Sequence, residues 1–125
     1  MREVDLPPVF SKLIEKLQIV QLEWHGITIQ LPKFAVYAVL ADPVFDRYFY
    51  RNGRKMGLIQ FGRYSIPVVD PLRGDLNQAP DFVVIVSHSR DNLFGLYAYP
   101  ADFVDESIEI SYMHQAVPYI VKDFV

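Results

Sequence analysis

From Val20 onward, apolar and polar side chains alternate with a period of two. Turn residues interrupt the alternation every eight to twelve positions or so. That pattern fits short strands half-buried against a core and speaks against a βαβ layout, which needs helical stretches between strands. Val20, Leu22 and Trp24 alternate with Gln21 and Glu23. His25-Gly26 supplies a turn, and Ile27, Ile29 and Leu31 alternate with Thr28 and Gln30. These residues predict a β-hairpin with one apolar face, ended by Pro32. Phe34 to Leu40 is almost wholly apolar, and its period does not separate a buried strand from a short helix.

Asp42-Pro43 breaks that run, and Asn52-Gly53 marks a second hairpin, because a type I′ turn needs positive φ at both central residues. Gly62-Arg63 marks another turn, leading into a strand from Tyr64 to Val69. Pro71 to Pro80 reads as a loop, Phe82 to Val86 as a core strand, and Ser89 to Asn92 as a turn. Leu93 to Tyr99 reads as a strand stopped by Pro100, and Ser107 to Tyr112 and Tyr119 to Val121 as the last short strands. Ahead of the strands, Phe10, Leu13, Ile14 and Leu17 recur at helical spacing after Pro7 and Pro8. They predict an amphipathic helix over 1–18, ahead of a β domain over 19–125. At 125 residues, one domain or a close pair of subdomains is the expectation.

The chain has no cysteine, which excludes disulfides, thiolate metal sites and a cysteine nucleophile. No stretch reaches the length of a membrane span and no signal peptide is readable, so the expected compartment is the cytoplasm. The formal charge of −3 opposes binding to nucleic acid by net charge. It is unevenly spread: residues 1–63 carry +3 and residues 64–125 carry −6.

His25, His88 and His114 lie far apart in sequence, without the spacing that betrays a metal site. Ser87-His88-Ser89 with Asp70, Asp81 or Asp91 can be written as a triad, but neighbours on a strand point to opposite faces. No Gly-rich phosphate cradle occurs, so no cofactor is indicated. Asp102, Asp105, Glu106 and Glu109 read as a solvated acidic face. Between Phe45 and Tyr64, Arg47, Arg51, Arg54, Lys55 and Arg63 interleave with Tyr48, Phe49, Tyr50, Phe61 and Tyr64. A small barrel could bind a single nucleic-acid strand with such a hairpin, by stacking and phosphate contacts. The competing reading turns the aromatics to the core and the cations to water.

Met56 to Asp70 (MGLIQFGRYSIPVVD) resembles the signature of the CheW-like family of chemotaxis coupling domains. There a strand with a glycine is followed by an Arg-Gly turn, and the next strand reads apolar pair, Pro, apolar pair, Asp-Leu. Val20 to Leu40 is similar to the family's opening hairpin and its V-x-E-I segment, and Phe82 to Val104 resembles its buried strand and G-L-x-V-D-x-V stretch. The resemblance spans residues 19–121. It implies a mostly β fold of two small five-stranded β-barrel subdomains, here with an extra N-terminal helix, and no active site. It also implies protein partners: a chemoreceptor tip, the regulatory domain of a histidine kinase, or both. Matching positions for the inherited protein-binding region are Val36, Ala38, Phe61 and Gly62.

Three departures stand out. The family pairs a turn arginine with a glutamate, and the aligned positions here are Phe61 and Ala38. Losing both charges together spares the fold the cost of one left unpaired. A family aspartate aligns with Tyr99. The chain also lacks counterparts of the family's last strand and terminal helix, an edge that the N-terminal helix or a second copy in a homodimer would cover.

Overall fold

A left-handed backbone closes both hairpins that the turn residues mark. His25 and Gly26 have φ of 49° and 80°, and Asn52 and Gly53 have 53° and 75°. Both pairs meet the type I′ requirement. The computed structural model describes residues 15–90 and 93–124, without the side chains of 88–94. Among the described residues there are nine strands: β1 (Lys16–Trp24), β2 (Ile27–Pro32), β3 (Val36–Ala41), β4 (Phe45–Arg51), β5 (Arg54–Phe61), β6 (Tyr64–Val68), β7 (Phe82–Arg90), β8 (Leu93–Ala101) and β9 (Phe103–Ser111). A 3-10 turn at Lys33–Ala35 precedes β3, and a short helix α1 (Val117–Val121) follows β9.

The strands form a three-stranded sheet, β2-β1-β9, and a six-stranded sheet, β3-β7-β8-β6-β5-β4. All pairings are antiparallel except β6 with β8, which meet in parallel at Val68 and Ala98. Neither sheet is closed into a barrel by a hydrogen-bonded ladder, in contrast to the two closed five-stranded barrels expected. The division falls at Asp102, whose N–H donates to Glu23 O at 2.7 Å. The chain thereby leaves the six-stranded sheet after β8 and enters the other as β9.

Several local expectations change. Lys16 to Gln18 belong to β1, so the strand begins inside the segment expected to be helical. The rest of that segment, residues 1–14, lies outside the described residues. Tyr119 to Val121 lie in α1 rather than a strand, since Val117, Ile120 and Val121 pack together on one apolar cluster. Phe34 falls in the 3-10 turn, and the strand begins at Val36. β7 and β8 pair out to Arg90 and Leu93, which shortens the expected turn. Pro100 does not stop β8, because past Ala98 that strand no longer pairs with β6 and a missing N–H breaks no rung on that side.

The main core packs Val20, Leu22 and Trp24 of β1 against Ile59, Ile66, Val68, Ala98 and the run Val83 to Val86. Leu76, in the long loop after β6, is buried with them, while the Asp75 carboxylate accepts the Lys55 N–H at 2.7 Å. A smaller cluster joins Leu17, Ile19, Ile108 and Ile110 to α1. Leu17 and Ile19 therefore face one side of the sheet, and Val20, Leu22 and Trp24 the other. β9 serves both sides through a bulge: Ile19 pairs with Ile108, but Gln21 pairs with Asp105. The Asp105 carboxylate builds the bulge by accepting both Ser107 Oγ–H (2.6 Å) and Ser107 N–H (2.9 Å).

One buried polar contact ties the two sheets together. Trp24 Nε1 donates to Asp70 Oδ1 at 3.2 Å, and the same oxygen accepts Leu72 N–H at 2.7 Å. At Gly57, buried in β5, an added Cβ would run into the Phe45 ring, which lies over the glycine from β4. Glycine is needed there for close approach rather than for backbone freedom.

Two outcomes follow from this packing. Gly57→Val is expected to cost about 1–3 kcal/mol in denaturant unfolding, and less in a Phe45→Ala background. Equal costs in both backgrounds would separate the two residues. The Ser107 hydroxyl, and then its N–H, hold the Asp105 carboxyl below its ordinary value. A depressed carboxylate stabilises the fold above the unfolded pKa and loses that contribution as pH falls through the folded one. Ser107→Ala should therefore lower the unfolding midpoint at neutral pH, with the gap closing below about pH 4.

Candidate protein-interaction surface

In a flat sheet, β3 and β5 would stand about 19 Å apart, four strand spacings of ~4.8 Å. Yet the rings of Tyr37 on β3 and Phe61 at the end of β5 meet edge to face, with centroids 5.8 Å apart and planes at 85°. The six-stranded sheet is thus strongly curled, and its first strand passes against the β5–β6 turn.

The four positions singled out in the sequence fall around this contact. Val36 opens β3 opposite Val86, and Ala38 lies opposite Ile85. Both are half-buried and pack against the main core. The ladder shifts register between them, at Tyr37. Phe61 closes β5 opposite Tyr64. Gly62 then takes φ 61°, which a two-residue turn beginning with glycine requires. Phe61 meets Tyr37 rather than Ala38, so its packing partner is one residue from the position aligned with the family glutamate. Tyr37 is 53% exposed and Tyr64 46%. Together with Phe61 they form an aromatic ridge at the corner. Sequence reading missed Tyr37; the signal was the one hydroxyl-bearing side chain inside the otherwise apolar run from Phe34 to Leu40.

Other candidate residues serve elsewhere. Tyr99, at the position of the family aspartate, donates its hydroxyl to that of Tyr97 at 3.3 Å. Asp70 accepts from Trp24 and Leu72, and Ser87 Oγ donates to the Ala35 carbonyl at 3.3 Å, while the His88 side chain lies outside the described residues. Among the described residues, no three of His, Asp and Glu converge as a metal site would require. Asp102 accepts the His25 N–H at 3.0 Å.

The basic and aromatic hairpin of β4 and β5 largely pairs with itself. Lys55 Nζ lies 5.0 Å from the Tyr48 ring centre, and the Arg51 guanidinium 5.5 Å from that of Phe49. Ring faces covered by the protein's own cations offer little to a stacking base. Tyr50 is exposed.

Among solved structures, the scaffolding protein TtCheW from Thermoanaerobacter tengcongensis is similar over most of the chain. The similarity covers 78% of this chain and 67% of that one, with a TM-score of 0.58 and 19% identity. This chain has a CheW-like fold. No protein-family model matches the sequence, and neither does any curated protein. The CheW-like fold of this chain is therefore seen in its tertiary structure. None of the described helices is long and apolar enough to cross a membrane.

The Tyr37–Phe61 contact is measurable. A double-mutant cycle with Tyr37→Ala and Phe61→Ala should give a coupling of about 0.5–1.5 kcal/mol in unfolding. Strictly additive losses would mean the rings do not support each other.

Proposed function

We propose that this chain is a non-enzymatic adaptor that binds other proteins through the corner where β3 meets the β5–β6 turn. One observation carries the reading: a CheW-like fold presents an aromatic ridge, the exposed Tyr37 and Tyr64 with the half-buried Phe61 between them, where Val36, Ala38 and Gly62 also lie. Aromatic side chains give large contact area at small entropic cost and commonly anchor protein interfaces. In this reading the ridge replaces a charge pair with apolar contact. Its partners keep the CheW-like pattern, a chemoreceptor tip or the regulatory domain of a histidine kinase, met in the cytoplasm. The two sheets then stand in for the family's two barrels.

The test is capture of purified receptor tip and purified kinase regulatory domain by the full chain. At least one is expected to bind. Phe61→Glu should weaken that binding tenfold or more, about 1.4 kcal/mol, with the circular dichroism spectrum unchanged. A chain that captures neither removes the coupling role and leaves the fold untouched. Binding that Phe61→Glu does not weaken moves the site away from this corner.

A further inference from the structure

Among the described residues, β9 ends the three-stranded sheet and β4 ends the six-stranded one. The outer edge of such a strand presents unpaired N–H and C=O groups, a template for one more strand. These two edges carry opposite charge. Asp102, Asp105, Glu106 and Glu109 lie on or beside β9, and no lysine or arginine occurs from position 91 to 121. β4 carries Arg47 and Arg51 against a single Asp46, and Arg54 opens β5 just past the turn. Arg47, Arg51, Glu106 and Glu109 are exposed, and none forms an ion pair among the described residues. β2 and β3, the other end strands, carry no charged residue, so nothing on them selects an occupant.

Charge decides which pairing is open to a second copy. β9 laid on another β9 would set carboxylates against carboxylates, and β4 on β4 would set arginines against arginines. Like charges directly across a strand pair are destabilising, and charged edges commonly block self-pairing in this way. The block works only against the same edge. β4 of one copy against β9 of another brings guanidinium groups to carboxylates.

We propose that copies of this chain associate head to tail, the β4 edge of one adding to the β9 edge of the next. The two edges differ, so each contact leaves one β9 and one β4 unused, and the assembly grows until rotation closes a ring. This association uses other strands than the β3–β5 corner, so it stands or falls independently of the adaptor reading.

Sedimentation of the full chain over a concentration series is the test. At low salt the average mass should rise with concentration and pass that of a dimer. At about 0.5 M salt the association constant should fall at least tenfold, because exposed charges are screened. Arg47→Glu/Arg51→Glu and Glu106→Lys/Glu109→Lys, each checked for fold by circular dichroism, should each be monomeric alone. Mixing the two variants, or placing all four substitutions in one chain, should restore association by exchanging the charges. A chain that stays monomeric at low salt overturns the proposal. So does association that neither reversal weakens, or a mixture that remains monomeric.

Discussion

The bulge opposite Val20 allows one pair of strands to feed two cores. On β1, residues with odd numbers face α1 at one end and residues with even numbers face the six-stranded sheet at the other. β9 must follow that exchange, although the apolar residues it packs into the two clusters, Val104, Ile108 and Ile110, all have even numbers, Phe103 being exposed. Without an extra residue, those three would share one face, and either Val104 or the isoleucines would point away from their cluster. Asp105 and Ser107 supply the local geometry, a carboxylate holding the hydroxyl and amide two residues on. The smaller cluster and the seat of α1 thus depend on a polar contact at the surface.

Between the sheets, cohesion is mainly apolar, with Trp24 and Asp70 adding direction. A buried carboxylate with no partner would be costly, and this one accepts from the indole and from the backbone of its own turn. The turn is tight: a Cβ at Gly74 would lie 2.7 Å from Asp70 Oδ2. The strand-Pro-strand-Asp pattern therefore has a structural cause. Its aspartate anchors the loop that carries Leu76 into the core and leads to β7.

Curling gives the surface its character. A flat six-stranded sheet would have kept β3 and β5 apart, whereas the observed sheet gathers Val36, Tyr37, Ala38, Phe61 and Gly62 at one corner. Where a family pattern has a charge pair, this chain has rings in contact. Replacing both partners of a buried polar pair costs little, while replacing one strands the other, so the fold tolerates the exchange at this corner.

Local chemistry was legible in the sequence wherever a single turn or strand decides it. Both I′ hairpins followed from His25-Gly26 and Asn52-Gly53, because the need for positive φ is met within two residues. The alternation of Val20, Leu22 and Trp24 marked the face of β1 on the main core. Val36, Ala38, Phe61 and Gly62 were named as candidates, but not Tyr37, whose ring meets that of Phe61. Tyr37 meets Phe61 only because distant strands curl together, and no local period records that. Nor does any local signal show that β9 crosses to the other sheet, that Tyr119 to Val121 coil instead of extending, or that barrel closure is missing. Those features depend on which strand edges and apolar faces meet, a competition among segments far apart in the chain, and only the tertiary structure decides it.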